Sequence, residues 1–195
     1  MTASNHPTIG ILLLAAGNGT RFTAAGGEGN KLLALYPNSN GDQVPLLAFS
    51  LSQAVASGLP VRLVTRPNEM EIIAMAEQFG AAVTLVASAG SGETIAAGVC
   101  DSANWAGWLI APADMGWLRS DDYVQVAAAL SSDDAQARMM FDDMPGHPVG
   151  FGKGYGAALS QLTGDHGARQ LLDDTKLVKL AGHSGVVKDA DLPAQ

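Results

Sequence analysis

The stretch Ile9-Gly10-Ile11-Leu12-Leu13-Leu14 is the clearest indication of the fold in this sequence. It is almost continuously apolar and is followed by a glycine-rich turn, Gly17-Asn18-Gly19. A strand that is apolar on both faces fits a parallel sheet with helices on either side. Later stretches of the same type lie at residues 59–65, 81–87 and 105–112. The sequence therefore predicts a parallel sheet built from these strands.

Segments of helical length, rich in alanine, lie between the strands. They predict helices at residues 44–57, 68–79, 93–103 and 120–130. Pro45 suits a first helical turn, and Asn68 suits an N-cap. Gly58 and Gly80 suit the ends of two helices. After residue 131 the order is less regular, with residues 135–141 as the clearest late strand. This alternation, without a linker, predicts an α/β fold and one domain over residues 1–195.

Composition and charge exclude several classes of function. Of the 195 residues 47% are hydrophobic and 15% charged, which is enough apolar content for a core and too little charge for disorder. The net charge of −8, with only 11 Lys and Arg, argues against nucleic-acid binding. Cys100 is the single cysteine, which excludes an internal disulfide and a Cys-based zinc site and fits a reduced compartment. With no basic leader and no apolar stretch of spanning length, we expect a cytoplasmic protein without membrane contact.

The loop after the first strand carries the clearest chemical pattern, because parallel sheets bind ligands beyond the carboxyl ends of their strands. Its glycines allow backbone N–H groups to form an anion-binding nest. Arg21 can fork onto phosphate oxygens, and Lys31 supplies a point charge. A dinucleotide fingerprint requires glycine where Phe22 stands, and a Walker loop requires glycine in place of Asn30. A phosphate loop with a downstream Arg and Lys remains, beside the alternative of a plain surface turn.

A resemblance to a known family enters at these residues. The stretch from Leu14 to Phe22, with Lys31-Leu32-Leu33, resembles the signature of the MobA-like nucleotidyltransferases, and most closely of the branch that makes molybdopterin cytosine dinucleotide. Further motifs follow in matching order: Pro112-Ala113-Asp114-Met115, Gly146-His147-Pro148, Gly164-Asp165-His166-Gly167-Ala168-Arg169 and Asp189-Ala190-Asp191-Leu192-Pro193. The resemblance implies a Rossmann-like three-layer sandwich with a mostly parallel central sheet, like that of nucleotide-diphospho-sugar transferases. It also implies transfer of CMP from CTP to the phosphate of molybdopterin, with release of pyrophosphate, and a molybdoenzyme as recipient of the product.

The resemblance also assigns roles to residues around the nucleotide. Arg21, Lys31 and Asp114 are expected to be catalytic, with Asp114 holding Mg²⁺, a cation that prefers hard oxygen ligands. The alternative for Asp114 is an N-cap of the following helix, a role that Ser120 fills more naturally. Asp189 or Asp191 is expected as a second metal ligand, or as a solvated tail residue. The nucleotide-binding set is expected to comprise Ala15, Ala16, Gly17, Gly19, Thr20, Arg21, Lys31 and Thr94.

Two further residues are expected to face the acceptor. His147 lies in a stretch that predicts a rigid turn, and its alternative is a turn histidine bonded to nearby backbone. Arg169 binds a phosphate of the pterin or pairs with Asp165 or Asp173. For Asp165 we favour a cap of a helix over residues 168–172.

Several departures from the family pattern leave the substrates open. The segment between Arg21 and Lys31 is longer than in relatives, Glu93 stands near the expected phosphate site, and Gly116 replaces a usual proline. CTP as donor depends mainly on Ala16 and on the later motifs. The alternatives are guanylyl or sugar-phosphate transfer, and a non-catalytic nucleotide-binding or cofactor-chaperone module.

Overall fold

A seven-stranded sheet lies at the centre of the computed structural model, which describes residues 7–88 and 90–190 without the side chains of Thr20 and Arg21. The strands are β1 (Ile9–Leu14), β2 (Leu35–Pro37), β3 (Gln43–Pro45), β4 (Val61–Thr65), β5 (Ala82–Leu85), β6 (Gly107–Pro112), β7 (Gln136–Phe141), β8 (Met144–Gly152) and β9 (Leu177–Ala181). The strand order across the large sheet is β5-β4-β1-β6-β8-β7-β9, and β2 and β3 form a separate two-stranded ribbon.

Four neighbouring strands, β5, β4, β1 and β6, run parallel, as the apolar stretches predict. Strand β8 is antiparallel to both β6 and β7, and β9 pairs parallel to β7. Because β8 runs in the opposite direction, its first residues lie at the edge where the parallel strands end. That edge is where an α/β sheet binds its ligands.

Helices cover both faces of the sheet: α1 (Thr20–Ala24), α2 (Leu46–Ala56), α3 (Met70–Gln78), α4 (Ser91–Asp101), α5 (Ser120–Ala129) and α6 (Gly156–Ser160). Ile11 and Leu13 of β1 pack into a core with α2, α3 and α5. Leu12 points to the other face, into a core with α4 and α6. Helix, sheet and helix layers follow from strands that are apolar on both faces, and the expected three-layer α/β class is confirmed.

The structure corrects the expected helix starts. Asn68 is not an N-cap: residues 66–69 form a turn in which Glu69 N bonds to Arg66 O, and α3 begins at Met70. Ser120 is the first residue of α5 rather than its cap, and Asp122 instead accepts a bond from Arg119 N at 2.7 Å. Both helix ends expected at glycines are present, with φ of +78° at Gly58 and +83° at Gly80.

The two late motifs also differ from expectation. The stretch around His147 is part of β8 and not a turn. Instead of a helix over residues 168–172 there is a 3₁₀ turn, Arg169–Leu171, with Ala168 at its cap position and no side-chain cap. Asp165 is not a helix cap. Gly167, with φ of +56°, lies between Asp165 and the 3₁₀ turn and interrupts a helical path from one to the other. Among the described residues, no helix is long and apolar enough to cross a bilayer.

Candidate active site

Two loops meet where strands β1 and β6 end side by side. Leu14 pairs with Pro112 at the last position of both strands. The glycine loop leaves β1 there, and Asp114 follows β6 two residues later. Ala113 N bonds to Leu14 O at 2.9 Å, and Ala113 O accepts the buried Ser50 hydroxyl at 2.6 Å. These bonds fix the backbone beside Asp114 to the sheet.

The glycine loop is anchored equally firmly at its beginning. Ala15 and Ala16 are buried; Ala15 N bonds to Val64 O at 2.8 Å, and Ala15 O accepts the Thr65 hydroxyl at 3.2 Å. Gly19 adopts φ of +61°, a conformation that favours glycine. A cavity of about 350 Å³ opens here. Its lining includes every described member of the expected nucleotide-binding loop: Ala15, Ala16, Gly17, Gly19, Lys31 and Thr94, together with Asp114.

Lys31 and Asp114 form an ion pair inside this cavity. The Nζ–Oδ2 distance is 2.5 Å, and the side chains are only 18% and 13% exposed. Lys31 begins a 3₁₀ turn, Lys31–Leu33, and the Asn30 side chain caps that turn by accepting from Leu32 N at 3.0 Å. The two residues are 83 positions apart in sequence, and the fold brings their side chains together inside this cavity.

Asp114 has the donor chemistry that a divalent cation requires. Its Oδ2 faces Lys31, while its buried Oδ1 has no hydrogen-bond partner within the part of the chain that the structure describes. A hard carboxylate oxygen without a partner fits Mg²⁺, which takes one or two carboxylates and completes its shell with waters and substrate phosphates. No group of three His, Cys, Asp or Glu side chains gathers as a metal site among the described residues. The donor set thus fits an ion that a nucleotide helps to hold, and not a closed protein cage.

Helix α4 borders the cavity with Ser91 and Thr94. Thr94 is buried and donates its hydroxyl to Gly90 O at 2.7 Å, so its contribution to the wall is mainly its methyl group. Glu93 turns away and accepts Gly164 N at 3.0 Å. Gly92 N bonds to Gly164 O at 2.8 Å, which ties the start of α4 to the loop that carries the late motif.

A second and larger cavity, of about 770 Å³, adjoins the first. Both cavities are lined by Leu14, Ser91 and Pro112, so they meet at the carboxyl ends of β1 and β6. His147 and Arg169 lie in this second cavity, together with Arg138 from β7. The structure therefore places the two expected acceptor residues in one cavity and the described members of the expected nucleotide-binding set in the neighbouring cavity.

The second cavity is lined by three cations, Arg138, Arg169 and Lys179, and by the carboxylates of Asp143, Asp165 and Asp174. Lys179 is paired with Asp174 at 3.8 Å, so the two arginines carry the unpaired positive charge among the described lining residues. Arg138 donates through Nε and Nη2 to Gly146 O, at 3.2 and 2.9 Å. Burial, and then the nearby Arg169, lower the pKa of Arg138. In the described residues neither arginine has a carboxylate within ion-pair distance, so Arg169 does not pair with Asp165 or Asp173. Burial, and then Arg138, lower the pKa of His147 to about 4, so its ring is neutral at pH 7.

Some expected site residues lie elsewhere or outside the described part of the chain. The side chains of Thr20 and Arg21, and the whole of Asp191, lie outside the described residues. Asp189 is exposed and does not line either cavity.

Sequence reasoning missed Arg66, Glu69 and Arg138, all of which line the cavities. Arg66 directly follows β4, and its position at a strand end was the available signal. Arg138 lies within a strand, where no sequence pattern marks it as a site residue.

A parallel sheet that gathers a glycine loop, a lysine and an aspartate at the carboxyl ends of its strands defines an α/β protein with an anion-binding cleft. Residues 11–180 match the family model of the MobA-like NTP transferase domain. The chain belongs to this family, and its class of activity is nucleotidyl transfer. Among curated proteins, no sequence matches it.

Solved structures with low sequence identity share the fold. A homologue of Mycobacterium tuberculosis Rv0371c, from Mycobacterium sp. strain JC1, superposes with a TM-score of 0.77 at 18% identity, over 94% of this chain and 90% of that one. The complex of M. tuberculosis Rv0371c with manganese gives 0.70 at 18% identity, over 95% and 94%. The 4-diphosphocytidyl-2C-methyl-D-erythritol synthase of Anaerococcus prevotii gives 0.61 at 15% identity, over 93% and 92%.

Proposed function

We propose that this nucleotidyltransferase is a single domain over residues 1–195 that transfers CMP from CTP to the phosphate of a molybdopterin-type acceptor, releasing pyrophosphate. The observation that carries the proposal is the Lys31–Asp114 pair inside a glycine-lined cavity, next to a second cavity with two unpaired arginines in the described residues. The first cavity suits a triphosphate, and the second suits a phosphorylated acceptor. The product's recipient is then a molybdoenzyme.

The reaction needs positioning more than covalent help from the protein. An oxygen of the acceptor phosphate forms a bond to the α-phosphorus, the bond from that phosphorus to the bridging oxygen breaks, and pyrophosphate leaves with the electron pair. Backbone N–H groups of the loop at Gly17 and Gly19 contact the phosphates, and Lys31 neutralises charge on the leaving group. In this proposal Arg21 shares that role, as the family resemblance implies. A divalent cation on Asp114, Mg²⁺ in this proposal, supplies further neutralisation when bound.

The second cavity orients the acceptor. Arg138 is held by Gly146 O, so its guanidinium offers its remaining N–H groups to an anion without further ordering. Arg169, which is exposed, adds a second charge from the opposite loop. The neutral ring of His147, which lines the same cavity, hydrogen-bonds to a polar, uncharged part of the acceptor.

Two measurements test the proposal. A thermal-shift panel of CTP, GTP, ATP and UTP with Mg²⁺ identifies the donor, since a ligand that binds only the folded state raises its stability as RT ln(1 + [L]/Kd). Pyrophosphate release is then measured with molybdenum cofactor as acceptor. CTP preference with pyrophosphate release supports the proposal. A preference for GTP would change the assigned donor, and pyrophosphate release only with sugar phosphates would change the assigned acceptor. Nucleotide binding without pyrophosphate release from any acceptor would indicate a non-catalytic binding or chaperone module.

A further inference from the structure

Four polar side chains form a network along one side of the nucleotide cavity, and the mechanism above does not use it. Arg66 and Glu69 lie in the turn between β4 and α3, and Asn18 and Asn30 lie at the two ends of the long loop before Lys31. All four line the cavity. We call this network the Arg66–Glu69 clasp.

The contacts of the clasp join both ends of the loop to one turn. Arg66 Nη1 donates to Asn18 Oδ1 at 2.8 Å, and Asn30 Nδ2 donates to Glu69 Oε2 at 3.0 Å. Arg66 and Glu69 are themselves paired, with Nη2 and Oε1 separated by 3.3 Å. One ion pair therefore holds the loop at its beginning and at its end.

The clasp reaches Lys31 through Asn30. With Nδ2 on Glu69, the Asn30 amide directs Oδ1 to Leu32 N, the bond that caps the turn beginning at Lys31. The amide orientation is determined on both sides, since a carboxylate only accepts and a backbone N–H only donates. Removing Glu69 thus frees the side chain that sets the start of the Lys31 turn.

Electrostatics alone gives Glu69 an unfavourable role. A carboxylate that lines a cavity for triphosphate repels the ligand. Glu69 can still favour nucleotide binding if its hydrogen bonds position the loop strongly enough to outweigh that repulsion, part of which Arg66 neutralises. If repulsion dominates, removing Glu69 should strengthen nucleotide binding, and if positioning dominates, it should weaken nucleotide binding.

We propose that Glu69 and Arg66 are positioning residues that hold the glycine loop and Lys31 in place for the triphosphate. This inference rests on the proposed function, because it assigns the clasp to nucleotide binding. The clasp acts through Asn18 and Asn30, and neither Arg66 nor Glu69 contacts a reacting atom in this proposal.

The first experiment needs no nucleotide. Limited trypsin digestion of Glu69→Ala, with cleavage sites located by mass spectrometry, should cut within residues 18–31 several-fold faster than wild type. Glu71→Ala, at an exposed position on the first turn of the same helix, is the matched control and should cut at the wild-type rate. Equal cleavage of Glu69→Ala and wild type overturns the clasp whatever the protein binds.

The second experiment measures nucleotide affinity by calorimetry with CTP and Mg²⁺. Glu69→Ala should bind about tenfold more weakly than wild type, and Glu69→Gln, which keeps an acceptor for Asn30, should lose less. In a Lys31→Ala background the effect of Glu69→Ala should shrink to about twofold, because the clasp acts through Lys31. Binding that is unchanged or tighter in Glu69→Ala refutes the inference. Wild type that binds no nucleotide refutes the proposed function instead.

Discussion

Replacing Lys31 with methionine should improve the binding of a metal ion while it removes activity. In the free protein the Lys31 ammonium occupies Oδ2 of Asp114. An ion that uses both carboxylate oxygens must first displace that ammonium. Lys31→Met keeps most of the side-chain volume and leaves the carboxylate bare, so the competition disappears.

The magnitude follows from the burial of the pair. Exposed ion pairs contribute about 0–1 kcal/mol, and breaking fully buried ones costs about 3–5 kcal/mol. With side chains 18% and 13% exposed, the Lys31–Asp114 pair falls between them, at about 2 kcal/mol. Displacing it therefore weakens metal binding by roughly 30-fold in wild type.

Thermal unfolding with Mn²⁺ and no nucleotide measures this difference. At an ion concentration of about 100 times the Kd of Lys31→Met, the variant gains about 2.7 kcal/mol and wild type about 0.9 kcal/mol. For a chain of this length these gains correspond to shifts in Tm of about 5–10 °C and about 2–3 °C. Pyrophosphate release by the same variant should fall by about 10²–10³.

Two controls make the experiment decisive. Lys153→Met removes an exposed lysine that lines neither cavity and should respond to Mn²⁺ as wild type does. Adding Asp114→Asn to Lys31→Met should abolish the gain. Equal Mn²⁺ shifts in Lys31→Met and wild type would show that the Lys31 ammonium does not compete with the ion, and wild-type turnover by Lys31→Met would show that Lys31 has no role in the reaction.

Three further predictions concern stability. The pKa of His147 is about 4 in the folded protein and about 6.5 in the unfolded chain. The unfolded chain therefore binds a proton more readily, and the free energy of unfolding should fall by up to about 3 kcal/mol as the pH falls from 6.5 to 4. Urea titrations should show that loss in wild type and a smaller loss in His147→Gln. His183 Nε2 lies 2.8 Å from the buried Asp122 Oδ2, so His183→Ala should lower the free energy of unfolding by about 2–3 kcal/mol, measured by urea denaturation at pH 7. A Cβ on Gly92 would lie 2.5 Å from the carbonyl carbon of Thr163, so Gly92→Ala should lower the stability by roughly 1–3 kcal/mol, measured as a loss in Tm.

Each of these has an outcome that contradicts it. Parallel pH profiles for wild type and His147→Gln would mean that burial does not hold the ring neutral. Wild-type stability of His183→Ala would mean that the backbone bond to Arg119 suffices for Asp122. An unchanged Tm for Gly92→Ala would show that the loop at Thr163 moves away without cost.

The parallel half of the sheet was predictable because its signal is local. Strands β1 and β6 are apolar on both faces, and β4 is mostly buried although it contains Arg62 and Thr65, so their type follows from each stretch alone. Strand β8 was missed because Pro145, Gly146 and Pro148 suggest a turn. Its pairing with β7 shifts register between Arg138 and Met140, and Pro148 lies opposite that irregular part of the ladder. A proline is tolerated there, since regular pairing is already interrupted.

The candidate site divides in the same way. Lys31 and Asp114 carried a sequence pattern, and the adjacency of β1 and β6 brings them together. The Arg66–Glu69 clasp depends on contacts to Asn18 and Asn30, which lie 48 and 39 positions away from their partners in the chain, and Arg138 lies within a strand. Such polar pairs have no periodicity, so only the folded arrangement reveals them.

The two walls of the nucleotide cavity are held by different kinds of bond, and this governs how they respond to change. Asp114 and the start of the glycine loop are attached to the sheet by buried backbone hydrogen bonds, such as those of Ala15 and Ala113. Lys31 is instead held through the clasp, whose paired side chains are about one quarter exposed. Bonds that water reaches open at lower cost than buried ones. The position of Asp114 is therefore fixed more firmly than the position of Lys31.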